Sequence, residues 1–187
     1  MIKYLLAFTG FAVLFASCNS EPESDRSNEK GYIRVAVQRR VAKKVEKKHR
    51  LRASGFGFWG PDCYEELKIF FVSPVVLSRD EARFLILDVA ADFLEVVNQD
   101  ENIRPHLCQH PYTMNHLSIA FFPKRNGYEK PIYPDYVVID FQGGIISYKT
   151  KLENQKYGYH SEEDETFEEA LKILREQGRA PEYFKDY

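Results

Sequence analysis

The sequence predicts a single α+β domain: a mainly antiparallel sheet of about four strands packed against a long buried central helix, with further helices at the N- and C-terminal ends. Three observations predict it. Residues 78–99 repeat apolar positions with a 3.6-residue period, on a face too broad for a helix half in water. Runs rich in β-branched and aromatic residues at 67–73, 116–122, 136–141 and 145–151 read as strands. The last three runs have no helical pattern between them, which separates strands from helices along the chain.

In chain order, Ile33, Val37, Val41 and Val45 recur every fourth residue and predict a helix with a narrow apolar stripe over 32–55, ending near Gly55. Its polar positions are strongly basic, with nine Lys or Arg and one Glu from Arg34 to Arg52. "SGFGFWGPDCY" (54–64) reads as a Gly-aromatic turn region, and "LKIFFVS" then alternates as a strand. Ser78 with Glu81 forms a capping box, whose side chains satisfy the orphan backbone donors at the start of a helix. Ala82, Leu85, Ile86, Val89, Phe93 and Val97 form the face of that central helix, widened by Phe84, Leu87 and Leu94. Gly143-Gly144 joins the last two strands, because glycine supplies the positive φ of a two-residue hairpin. Thr166 with Glu169 opens a final helix with Phe167, Ala170, Leu171 and Leu174 on its apolar face, and Gly178 ends it.

The N-terminus predicts export. Lys3 precedes an apolar run from Tyr4 to Phe15, broken only by Thr9 and Gly10 and followed by Ala16-Ser17-Cys18. Such a run is shorter than the roughly 20 residues that span a bilayer. The tetrad Phe15-Ala16-Ser17-Cys18 resembles the lipobox of bacterial lipoprotein signals, departing from it at Phe15, where leucine is usual. The resemblance implies cleavage after Ser17, a diacylglyceryl thioether on Cys18, and anchorage in a lipid bilayer. Asn19, in place of Asp, implies sorting to the outer membrane, facing the periplasm. A plain secretory signal cut near Ser17 is the competing reading. Residues 1–17 are thus the signal peptide, 18–31 the lipidated cysteine with a flexible tether poor in apolar residues, and 32–187 one globular domain.

Charge narrows the partners. The formal net charge is −2, which excludes a global nucleic-acid footprint. The basic segment 34–52 reads first as a solvated face; it also offers contact with an anionic envelope surface or a protein partner, or internal pairing with the acidic stretch 162–186, where nine Asp or Glu face four Lys or Arg.

Chemistry concentrates in "RPHLCQHPYTMNH" (104–116). If it were extended, His106, Cys108 and His110 would share one side of the backbone and supply imidazole and thiolate to a metal, or a Cys–His pair to catalysis. Pro105 and Pro111 bracket the triplet, and same-side residues on a strand lie about 6–7 Å apart, so the alternative is a plain helix-to-strand connection. An exported chain meets oxidising surroundings, and a Cys63–Cys108 disulfide is then the other use of these thiols. Gly55 to Gly60 fits G-x-G-x-x-G, but no strand precedes it and no helix follows, so no dinucleotide site is predicted. Trp59, Tyr133 and Tyr136 are candidates for a peptide or glycan groove, and no cofactor is predicted. From Phe93 to Thr113 the pattern "FLEVVN", then Ile103-Arg104-Pro105, Leu107, Pro111 and Thr113, is similar to one in small uncharacterised bacterial envelope proteins and implies no activity.

Together these readings favour a membrane-anchored envelope lipoprotein of non-enzymatic binding or assembly type. The alternatives are a metal-binding or Cys-dependent envelope enzyme using the His106/Cys108/His110 cluster, and an aromatic groove for peptide or glycan.

Overall fold

A computed structural model describes residues 23–185, with side chains from Glu29 onward. The signal peptide read at 1–17 and the lipidation site Cys18 lie outside the described residues. The class is α+β, and its elements run α1 (Glu23–His49), β1 (Arg52–Trp59), β2 (Glu66–Ser73), α2 (Arg79–Gln99), β3 (Leu117–Pro123), β4 (Tyr136–Gln142), β5 (Ile145–Thr150), β6 (Ser161–Thr166) and α3 (Phe167–Glu176).

The expected sheet of about four strands is corrected to six, in one mixed but mainly antiparallel sheet ordered β1-β2-β3-β4-β5-β6. Every neighbouring pair is antiparallel except β2 and β3, which run parallel because α2 crosses over between them. β1 comes from the stretch read as a turn. Its glycines make room for its neighbour: a Cβ at Gly55 would sit 3.2 Å from the Phe70 ring, and one at Gly57 3.4 Å from Lys68. β6 comes from "SEEDET", which has no apolar residue, and it is an edge strand held by polar pairs.

The helix expected over 32–55 is displaced. α1 stops at His49, where Arg50 turns at a φ of 55°, and it extends back to Glu23, into residues assigned to the tether. The reason is docking at its N-terminal half. The Tyr64 hydroxyl donates to the Lys30 carbonyl at 3.0 Å, and the Lys30 ammonium reaches the Asp62 carbonyl at 2.7 Å. Further along, the fully buried Gln38 amide donates to the carbonyls of Gly57 and Lys68 at 2.8 and 2.9 Å, tying α1 to the first two strands.

One face of the sheet carries the core. Leu67, Ile69 and Phe71 of β2, Leu117, Ile119 and Phe121 of β3, Ile139 and Phe141 of β4, and Ile146 and Tyr148 of β5 are buried there. α2 lies over them through Ile86, Val89, Phe93 and Val97, flanked by Val37, Val41 and Val45 of α1 and by Phe167, Leu171 and Leu174 of α3. Each buried aliphatic or aromatic side chain contributes on the order of 1.5–3 kcal/mol against leaving it in water. Both capping boxes form, at Ser78/Glu81 and Thr166/Glu169. The β4–β5 hairpin turns on Gly143 and Gly144, at φ 57° and 80°. The opposite face, with Lys68, Phe70, Val72, Phe122, Val138 and Lys149 alternating against the core positions, carries no helix among the described residues.

Candidate functional site

The 104–116 segment is a buttress between α2 and β3. After a 3₁₀ turn at Arg104–His106, Leu107 makes a parallel bridge to Tyr64. The Tyr64 N–H donates to the His106 carbonyl at 2.8 Å, and the Cys108 N–H donates to the Tyr64 carbonyl at 3.1 Å. This brings Cys63 and Cys108 together, with 5.0 Å between their Cα atoms, and they are joined as a disulfide. The Cys108 sulfur is therefore bonded and offers no thiolate for a metal or an acyl transfer.

The histidines are dispersed. His106 contributes its backbone carbonyl to the bridge, while His110 is exposed, its Nε2 3.4 Å from the Asn98 carbonyl. His116 accepts the Thr113 N–H on Nδ1 at 3.1 Å and stacks on Tyr112, with ring centroids 4.9 Å apart. Tyr112 is clamped by Asn98, whose Oδ1 accepts its N–H at 2.7 Å and whose Nδ2 donates to its carbonyl at 3.0 Å. The Tyr112 hydroxyl donates to the Tyr64 carbonyl, and burial pushes its phenol pKa up. The pattern from Phe93 to Thr113 is thus a way of fastening the end of α2. Among the described residues, no three His, Cys, Asp or Glu side chains converge as a metal site would require.

The aromatics proposed for one groove lie at opposite ends of the sheet. Trp59 pairs with Glu66 at the end where β3 begins, whereas Tyr136 pairs with Thr150 at the other end. Tyr133 sits beside that far end, its ring 5.0 Å from His160, and Tyr136 packs on Tyr148. Trp59 is exposed over a shallow depression of about 470 Å³ that also takes in Glu65, Gln109, Asn115 and Gln142. Those polar residues come from four loops and strand ends, and no spacing in the sequence links them.

The most organised charge is on α1. Arg40 pairs with Asp100; Lys44 with Asp92 at 3.0 Å and Glu95 at 2.5 Å; and Lys48 with Asp88 at 2.5 Å. His49 lies 2.5 Å from the same Asp88 carboxylate. The acids belong to α2 and the residue after it, which corrects the expected pairing with the C-terminal acidic stretch. Glu163 and Glu165 of that stretch instead hold Arg79 and Arg83. Burial alone would lower the Lys44 pKa, but the hydrogen bonds to Glu95 and Asp92 outweigh it and raise it above the usual lysine value. Burial pushes the Asp88 carboxyl up, yet His49 and Lys48 together hold it below the ordinary aspartate range.

One helical position away, Arg39, Lys43 and Lys47 are exposed and make no ion pair among the described residues. Their spacing of four places them in one row on the outer side of α1. The basic run therefore divides into an inner row neutralised by α2 and an outer row facing solvent. The sequence shows the basic run, and it also holds Asp88, Asp92 and Glu95 at helical spacing, the signal from which the inner pairing can be read.

No family model matches the chain, and neither a curated protein nor a solved structure matches it.

Proposed function

We propose that this protein is a lipid-anchored lipoprotein of the bacterial cell envelope, a non-enzymatic binding or assembly module held at the membrane by an acylated Cys18. The observation that carries the reading is the division of charge on α1. The outer row Arg39, Lys43 and Lys47 makes no ion pair among the described residues and suits an anionic lipid surface beside the anchor. The lipobox-like Phe15-Ala16-Ser17-Cys18 supports the anchor, and α1 begins five residues after that cysteine. Five residues reach at most about 18 Å, so an acylated Cys18 keeps α1 close to the headgroups. Each basic residue near an anionic leaflet contributes about 1 kcal/mol, so a row of three holds the helix against the surface without a further lipid group.

Two measurements test this. Mass spectrometry of the mature N-terminus is expected to show a diacylglyceryl-modified Cys18, and an unmodified cysteine there removes the anchor. With the protein in vesicles, Lys43 and Lys47 are expected to react more slowly with an amine-directed reagent when the lipid is anionic than when it is zwitterionic. Equal rates in both lipids refute the surface contact.

A further inference from the structure

The helix-free face of the sheet holds a concavity that the basic helix does not touch. It lies where β3 ends and β4 begins, between the loops 124–132 and 151–159, and encloses about 440 Å³. That volume falls within the roughly 300–1,000 Å³ typical of small-molecule sites. Phe122 and Val138 form its floor, and Pro131, Ile132, Leu152 and Tyr159 its apolar walls. A register shift between Tyr136 and Val138 locally breaks the alternation of β4, so that Val137 and Val138 both line the cavity.

The rim is cationic. Lys124, Lys130 and Lys151 all line the concavity, against a single lining carboxylate, Glu153. None of the three lysines forms an ion pair among the described residues, and Lys151 donates only weakly, to the Lys156 carbonyl at 3.4 Å. This differs from the rest of the sheet face, where Lys68 is matched by Glu66 at 2.7 Å and Lys149 by Asp140 and Glu162 at 3.0 Å each. Lysines elsewhere on that face are ion-paired, whereas those around the apolar floor make no ion pair among the described residues.

We propose that this concavity binds a small amphipathic anion, an aromatic or acyl body carrying a carboxylate or phosphate. The body lies on Phe122 and Val138 and is covered by Leu152 and Tyr159, which are 46% and 44% exposed and lose contact with water on binding. The head group is met by the three ammonium groups, which supply charge-assisted hydrogen bonds at the mouth. A neutral molecule of the same shape gains the apolar contacts and none of the ionic ones. The site goes beyond the anchored-module reading and does not depend on it, since no residue of α1 takes part.

Isothermal titration calorimetry on the full chain in zwitterionic nanodiscs tests it, with empty nanodiscs subtracted. The probes are naphthalene-2-carboxylate with its neutral carboxamide, and octyl phosphate with octanol. One-to-one binding of at least one anion is expected, about tenfold or more tighter than its neutral counterpart. Lys124→Glu with Lys151→Glu is expected to weaken that anion by about tenfold or more while leaving the neutral probe unchanged. Should the double reversal lower the melting midpoint, Lys124→Gln with Lys151→Gln is read in its place, with a loss of about threefold expected. Preference for octyl phosphate assigns a lipid-derived ligand, and preference for the naphthoate an aromatic acid; both support the site. No saturable binding of either anion up to about 1 mM, equal affinity for anion and neutral probe, or lysine variants within about 1.5-fold of the parent overturns it.

Discussion

Replacing Glu165 with alanine removes the carboxylate that fastens the edge of the sheet to the central helix. In the parent, Arg83 Nε donates to Glu165 Oε1 at 2.5 Å and Nη2 to Oε2 at 2.9 Å, a two-pronged pair with both side chains only 6% exposed. Arg79 Nε adds a third, longer contact at 3.3 Å, and its guanidinium lies 4.7 Å from the Tyr148 ring centroid. The hydrogen bonds that Arg83 donates to Glu165 raise its pKa above the ordinary arginine value, and arginine's intrinsic basicity keeps the guanidinium charged at neutral pH even when that partner is lost. Asp80 still pairs with Arg83, but it is more than half exposed and replaces little of the lost field. Breaking a buried pair on one side costs about 3–5 kcal/mol, and the remaining Asp80 contact places the expected cost at about 3 kcal/mol. For a domain of this size that lowers the melting midpoint by roughly 6–12 °C, measurable by circular dichroism at neutral pH. The companion variant Arg83→Met with Glu165→Leu is expected to recover most of the loss, because it leaves no unpaired buried charge. A midpoint for Glu165→Ala within about 1 °C of the parent, or strict additivity of the two single changes, would refute the account.

Acid is expected to loosen the α1–α2 interface. Asp88 and Asp100 both have folded pKa values below the ordinary aspartate value, because His49 and Lys48 at the first, and the Ile103 N–H and Arg40 at the second, outweigh burial. Their stabilisation is full above the unfolded pKa of about 3.9 and is lost as pH falls through the lower folded values, so the melting midpoint should drop steeply below about pH 4. Asp88→Asn should flatten that drop, and an unchanged profile counts against the assignment. The Cys63–Cys108 bond closes a 45-residue separation, for which loop entropy gives about 4 kcal/mol. Cys63→Ser with Cys108→Ser should therefore lower urea stability by about that amount, and a loss under about 1 kcal/mol contradicts the loop argument. Gly144 turns at a φ of 80°, and a Cβ there would meet the Asn115 side chain at 3.4 Å. Gly144→Val should cost about 1–3 kcal/mol, read as a lower melting midpoint, and a neutral outcome would show that the hairpin relaxes.

What is legible in the sequence is local chemistry. The capping boxes at Ser78 and Thr166, the Gly143-Gly144 hairpin and the apolar face of α2 each state their structure in a few adjacent residues, and each is found. What is illegible depends on distant partners. Gly55 and Gly57 read as a turn because their purpose lies in Phe70 and Lys68, residues of the neighbouring strand. "SEEDET" has no apolar residue to mark it as a strand because its strand is stabilised by Arg79, Arg83 and Lys149 from other elements. The parallel pairing of β2 and β3 leaves only an indirect mark, the nearly unbroken burial of β3 on both faces, because side-chain pattern carries no strand direction. The same holds for the concavity, whose lysines at 124, 130 and 151 are brought together only by two loops folding toward one sheet end.

The sequential order of the sheet also bears on how the chain assembles. Every strand after β1 hydrogen-bonds to the one before it in the chain, so the sheet grows only at its edge. A polypeptide synthesised N-terminus first always presents the next strand to a partner already in place, and nothing has to be wedged between strands that have paired. Growth stops at β6, whose outward Glu162 and Asp164 accept Lys149 and Ser147 from within the sheet. The row of carboxylates on that last strand then repels any further edge of its own kind, so the final element to arrive both completes the sheet and closes it to other copies.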